Sequence, residues 1–227
     1  MKAQPRRIGV MLGITGFGVF LLAGYFAVQI TAKVDLVGVE LPDAFDAKEA
    51  RRKLEVLESA RKETQVGYVR LSEAEINSHL SKHYDVYDGK GIKTNDRKLV
   101  PGQWNLRKAR IDLRSENFSF YTWHVYPIGG KSIEVVWERI GHLDRSHKQW
   151  RPQIEFTRIG RQSIPAWMLP HVQAVLEPGD EVLKKELDFL AGVPAIELRN
   201  NDLTRRTEVR LYTYAETNVI AKASAPR

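Results

Sequence analysis

Two histidines four residues apart on a helix can present both imidazoles to one ion, and His79 and His83 have that spacing. A structural metal site wants four ligands, however. The other histidines, His124, His142, His147 and His171, are scattered without a carboxylate motif to complete a set. The sequence holds no HExxH, no P-loop, no dinucleotide fingerprint and no GxSxG. It also holds no cysteine, which removes thiol nucleophiles and cysteine-based metal sites. Ser72 stands three residues before Glu75 and reads as a helix cap, not as a nucleophile. With no catalytic constellation in view, the expectation is a protein that is not an enzyme and uses neither a metal nor a cofactor.

Two features suit binding better. Ile164-Pro165-Ala166-Trp167-Met168-Leu169-Pro170, followed by Val172, Val175 and Leu176, gives an apolar helix carrying a Trp and an adaptable Met. Over a curved sheet such a helix lines an apolar pocket or touches a bilayer, or else it is an ordinary core helix. Trp167, Met168, Leu169 and Val172 are the candidate ligand-binding residues. If Trp167 is core, replacing it with Ala costs roughly 3 to 5 kcal/mol; if it lines a pocket, the cost is smaller and lipid uptake is lost. The second feature is a set of basic residues: Arg107, Lys108, Arg110, Arg114, Arg158, Arg161, Arg205, Arg206 and Arg210. Converging, they hold phosphate head groups; scattered, they form a solvated face. The formal charge is +7, three of the basic residues lie in MKAQPRR, and the +4 left over is too mild to argue for nucleic acid.

The elements that must position these residues begin with an uncharged apolar run, residues 8–32. It has the length of a bilayer-spanning helix and exceeds a typical signal-peptide core, so an uncleaved single-pass anchor is expected. Lys2, Arg6 and Arg7 precede it, which by the positive-inside rule puts residues 1–7 in the cytoplasm and the bulk of the chain outside the cytoplasmic membrane, periplasmic or extracellular. Gly9 and Gly13 form one small-xxx-small pair, the spacing by which two such helices approach closely in a homodimer, although glycine is common in membrane helices generally.

A connector and a charged helix, Asp43 to Gln65, fill residues 33–66; the helix carries a narrow stripe of Ala47, Ala50, Leu54, Leu57 and Thr64. A single α+β domain is then expected over 67–214. Ser72 opens a short helix through a capping box, with Leu71 stapling to Ile76, and the helix ends near Tyr84. Residues 88–96 are turn-rich. From Leu106 the apolar period becomes two, and four strands joined by short turns form an antiparallel meander. Helices over Ala166 to Leu176 and Asp180 to Leu190 follow, broken by Glu177-Pro178-Gly179, then a hairpin of Ala195 to Arg199 and Arg205 to Tyr214, and a tail, residues 215–227. The fold expected is one curved antiparallel sheet of about six strands with several helices, behind a transmembrane helix.

Leu71-Ser72-Glu73-x-Glu75-Ile76-Asn77-x-x-Leu80, the meander, and the step Ile159-Gly160 to Ile164-Pro165 into an amphipathic helix give an arrangement that resembles the YpmS-like membrane-anchored proteins. More loosely it resembles the LmeA-like envelope lipid-binding proteins. The resemblance implies a lipid- or envelope-linked role and supplies no catalytic residues; the segment 85–102 and the charged helix at 47–64 depart from it. The function expected is a membrane-anchored binding protein that holds a lipid or other amphiphile. The alternative is an accessory subunit of a membrane assembly, meeting its partner through the anchor and the Leu54 and Leu57 stripe.

Overall fold

A computed structural model describes residues 21, 23–34, 36, 39, 40, 42–85, 99–115, 117–146, 149–176, 184–202, 204 and 206–213. The expected cytoplasmic segment 1–7, most of the apolar run, the turn-rich stretch 88–96, the Glu177-Pro178-Gly179 break and the tail 215–227 lie outside those residues. In order, the elements are α1 (residues 23–31), α2 (Ala44–Lys62), β1 (Tyr68–Ser72), α3 (Glu73–Tyr84), β2 (Asn105–Leu113), β3 (Phe118–Ile128), β4 (Lys131–Ser146), β5 (Gln149–Ile159) and β6 (Gln162–Ser163). A 3-10 turn (Ala166–Met168), α4 (Leu169–Leu176), α5 (Lys184–Ala191), β7 (Ala195–Asn201) and β8 (Arg206–Tyr212) complete them.

Two expectations need correcting. No helix among the described residues is long and apolar enough to cross a membrane, so the single transmembrane helix over 8–32, and the placement at the cytoplasmic membrane that rested on it, are overturned. The described part of that run is a short helix whose C-terminal end docks on the body of the protein: Gln29 O accepts from Arg161 N at 2.9 Å. Nor is there a single sheet of about six strands. A five-stranded antiparallel sheet, order β2-β3-β4-β5-β6, is separate from a three-stranded one, order β1-β8-β7. The closing hairpin does not extend the meander because its β8 pairs with β1, Leu71 opposite Val209.

The capping box forms as its residues dictate. Ser72 Oγ accepts from Glu75 N at 3.2 Å, and Glu75 Oε2 accepts from Ser72 N at 2.9 Å. The helix so started, α3, lies along the open edge of β2. Asn77 accepts from Ile111 N at 2.7 Å and donates to Ile111 O at 2.9 Å, while Glu73 accepts from Leu113 N at 2.9 Å. Two side chains thus supply the hydrogen bonds that a further strand would give, and the edge is closed.

The apolar side of the large sheet follows from its register: Phe118, Phe120, Thr122, His124 and Tyr126 of β3 stand opposite Gly141, Arg139, Trp137, Val135 and Ile133 of β4. One end of that face meets α2, α3 and the small sheet in the main core, with Leu57, Leu71, Leu113, Phe118, Val209 and Leu211 buried. The other end carries a separate apolar cluster of Val135, Trp137 and Ile159, against which Ile30 of α1, Trp104, Ile164 and Val172 of α4 pack. Between the two, where the β4–β5 register slips past the extra residue Glu155 of β5, a Cβ on Gly141 would sit 2.1 Å from Gln153 O, so only glycine fits.

Candidate functional site

Between α1, α4 and the β4–β5 surface lies an open groove of about 400 Å³. Its walls are Ala27, Ile30 and Thr31 of α1, Trp104, Ile133 and Val135, Ile159, and His171, Val172 and Val175 of α4. Only Thr31 and His171 among them carry a polar side chain besides the indole N–H of Trp104. Thr31 turns its hydroxyl back to Ala27 O at 2.8 Å, which leaves its methyl for the groove. The cavity falls in the size range of small-molecule sites and is more apolar than most.

Gly160 builds this groove. It has φ +56°, a conformation that costs other residues, and it donates to Val136 O at 2.8 Å. A Cβ there would lie 2.3 Å from the carbonyl oxygens of both Gln29 and Ile30. The turn between β5 and β6 therefore accepts the C-terminal end of α1 only because residue 160 has no side chain. The Ile159-Gly160 step was legible in the sequence; its role as a seat for α1 was not, because nothing local says what approaches it.

Of the four residues singled out from the sequence, Val172 lines the groove. Met168 and Leu169 are half-buried and do not line it. Trp167 is 73 % exposed on the 3-10 turn and belongs to neither the groove nor the core, since the turn rotates it away from the sheet before α4 begins. The lining residues of α1 and the meander, Ile30, Ile133, Val135 and Ile159, were missed. In a two-residue alternation the strand positions among them are indistinguishable from ordinary core positions, and Ile30 reads as one more residue of the uncharged apolar run.

A recess of about 340 Å³ with a mixed polar and apolar lining adjoins the groove and shares Thr31 and Ile133 with it; Ala32, Lys33, Ser132, Glu134 and Val136 complete its lining. Glu134 is paired with Arg107 at 2.9 Å.

The remaining candidates are occupied elsewhere. His79 and His83 stack at 4.5 Å between ring centres on α3, and His79 Nε2 lies 3.6 Å from Glu186 Oε1 of α5, whose other oxygen accepts from the Tyr84 hydroxyl. Among the described residues no group of three or more His, Asp or Glu is placed to hold a metal. Burial, with His79 second, pushes the His83 imidazole down. Burial alone would raise Glu186, but hydrogen bonds from His79 and Tyr84 outweigh it and hold the carboxyl below its ordinary range. His124 is buried beside Trp137, and His142 pairs with Glu155 at 2.7 Å. His147 lies outside the described residues.

The basic residues do not converge on a phosphate site. Arg110 pairs with Asp85, Arg114 with Asp112, Arg158 with Glu138 and Arg206 with Glu40. Arg110, Tyr121, Glu138 and Arg158 instead form one row across the other face of the large sheet, the first three of them buried, and burial, reinforced by Glu138, pushes the Tyr121 hydroxyl up to about 12. Arg205 lies outside the described residues. No family model matches the chain, and no curated protein matches its sequence.

Proposed function

We propose that this protein binds the hydrocarbon chain of a lipid-like amphiphile in the groove between α1, α4 and the β4–β5 surface. The observation that carries the reading is an open cavity walled by Ala27, Ile30, Ile133, Val135, Ile159, Val172 and Val175. Apolar surface of this kind, left concave and accessible, is a common mark of a ligand site. The resemblance to the LmeA-like lipid-binding proteins points the same way. The subunit reading lacks such support, since Leu57 is fully buried in the main core and Leu54 packs against it, so the stripe meant for a partner faces the protein's own interior.

The test is a titration of the full chain with diphenylhexatriene, a neutral apolar probe that fluoresces when shielded from water. Wild type should show saturable binding. Val172→Trp, which fills the groove from α4, should weaken it by about tenfold or more while leaving the urea midpoint close to that of wild type, because Val172 is only half-buried. Unchanged probe affinity in that variant would overturn the assignment.

A further inference from the structure

Resting on the groove reading, we propose that the ligand is a single-chain amphiphile with an anionic head group, its chain in the apolar groove and its head in the adjoining recess beside Lys33. The two cavities meet at Thr31 and Ile133, so a molecule leaving the groove past these residues enters the recess directly. The groove is walled mostly by carbon, with Thr31 and His171 its polar side chains besides the Trp104 indole, whereas the recess adds the Lys33 ammonium, the Ser132 hydroxyl and the Glu134 carboxylate.

The balance of charge there favours an anion. Glu134 is held by Arg107 at 2.9 Å, so its negative charge is already compensated. Lys33 is exposed, and among the described residues no carboxylate is paired with it. The C-terminal end of α1 opposes an anion by its dipole, an effect reduced where Ala27 O accepts the Thr31 hydroxyl and Gln29 O accepts from Arg161 N and Ala32 N, and the full charge of Lys33 outweighs what is left. Among the described residues, the Lys33 ammonium is therefore the cation at the mouth with which a head group would pair. A carboxylate or a phosphate monoester meets this chemistry equally well.

The experiment displaces diphenylhexatriene from the full chain with three ligands of equal chain length: laurate, dodecanol and dodecyltrimethylammonium. Laurate should compete about tenfold more effectively than dodecanol, the size of effect expected for one charge-assisted contact at a partly solvated site, and the cation least well. Dodecyl phosphate, the second anionic head, should behave as laurate does. Lys33→Gln should abolish the preference for the acid over the alcohol. Equal competition by acid and alcohol, a preference for the cation, or an acid preference that survives Lys33→Gln would each overturn the head-group assignment while the groove reading stands. Failure of all the ligands to displace the probe would overturn both.

Discussion

Asn77 shows how much one polar side chain can decide. It is fully buried and makes three hydrogen bonds, two with the backbone of Ile111 and one, at 3.2 Å, to Glu40 O. Truncation would strand the N–H and C=O of Ile111 at a position where Asn77 is fully buried. Asn77→Ala should therefore lower the unfolding free energy by about 3 kcal/mol, measured by urea denaturation, well above the average cost of a surface substitution. Titration gives a second handle at this scale. His83 and Glu186 both have folded-state pKa values below their ordinary 6.5 and 4.5, with Lys82 and Arg51 adding to the depression at His83. A depressed value means that the protonated form is disfavoured by folding, so each contribution is intact above the unfolded value and is lost as pH falls through the folded one. Stability should begin to fall as the pH drops below about 6.5 and fall further below about 4.5. His83→Gln should remove the first decline and keep the second; an unaltered profile in that variant would place the upper titration elsewhere.

At the scale of elements, local signals were readable and long-range ones were not. The α3 cap, the meander from Leu106 and the helix following Asp43 all rest on neighbours within a few residues, and they form as those residues require; Asp43 caps α2 by accepting from Phe45 N at 2.8 Å. Strand β1 was missed because Tyr68–Ser72 reads as the lead into the capped helix, and its partner β8 lies at the far end of the chain. Without β1 the closing hairpin had nowhere to go but the meander, which is why one sheet was expected where there are two. The candidate site failed similarly. Val172 was found from its apolar helix, while Ile30, Val135 and Ile159 come together only because Gly160 seats α1 on the β5–β6 turn. Gly160→Ala meets two carbonyl oxygens and a left-handed backbone conformation, the latter alone costing about 1 to 2 kcal/mol. Hydrogen exchange should show faster exchange across residues 23–31 in that variant, with protection in β2 and β3 retained. Equal protection of α1 in both proteins would show that this glycine does not hold it.

For the whole molecule, the arrangement divides labour along one sheet. The end that meets α2, α3 and the small sheet is closed and carries the main core, including the seal of Asn77 and Glu73 on the edge of β2. The end that meets α1 and α4 packs only part of its apolar face and leaves the groove, with the recess of Lys33 at its mouth. A sheet so divided can open at one end without loosening the other, since their clusters share no buried residue.

Trp104 lines the groove and Trp167 stands outside it, which makes tryptophan quenching by a fatty acid brominated along its chain the most direct test of the central claim. Bromine quenches an indole only at contact, so the signal reports where the chain lies. The quenching of wild type should be saturable, should fall by about half or more in Trp104→Phe, and should be unchanged in Trp167→Phe. Quenching that does not saturate, or that disappears with Trp167 and survives the loss of Trp104, would contradict the placement of a hydrocarbon chain in this groove.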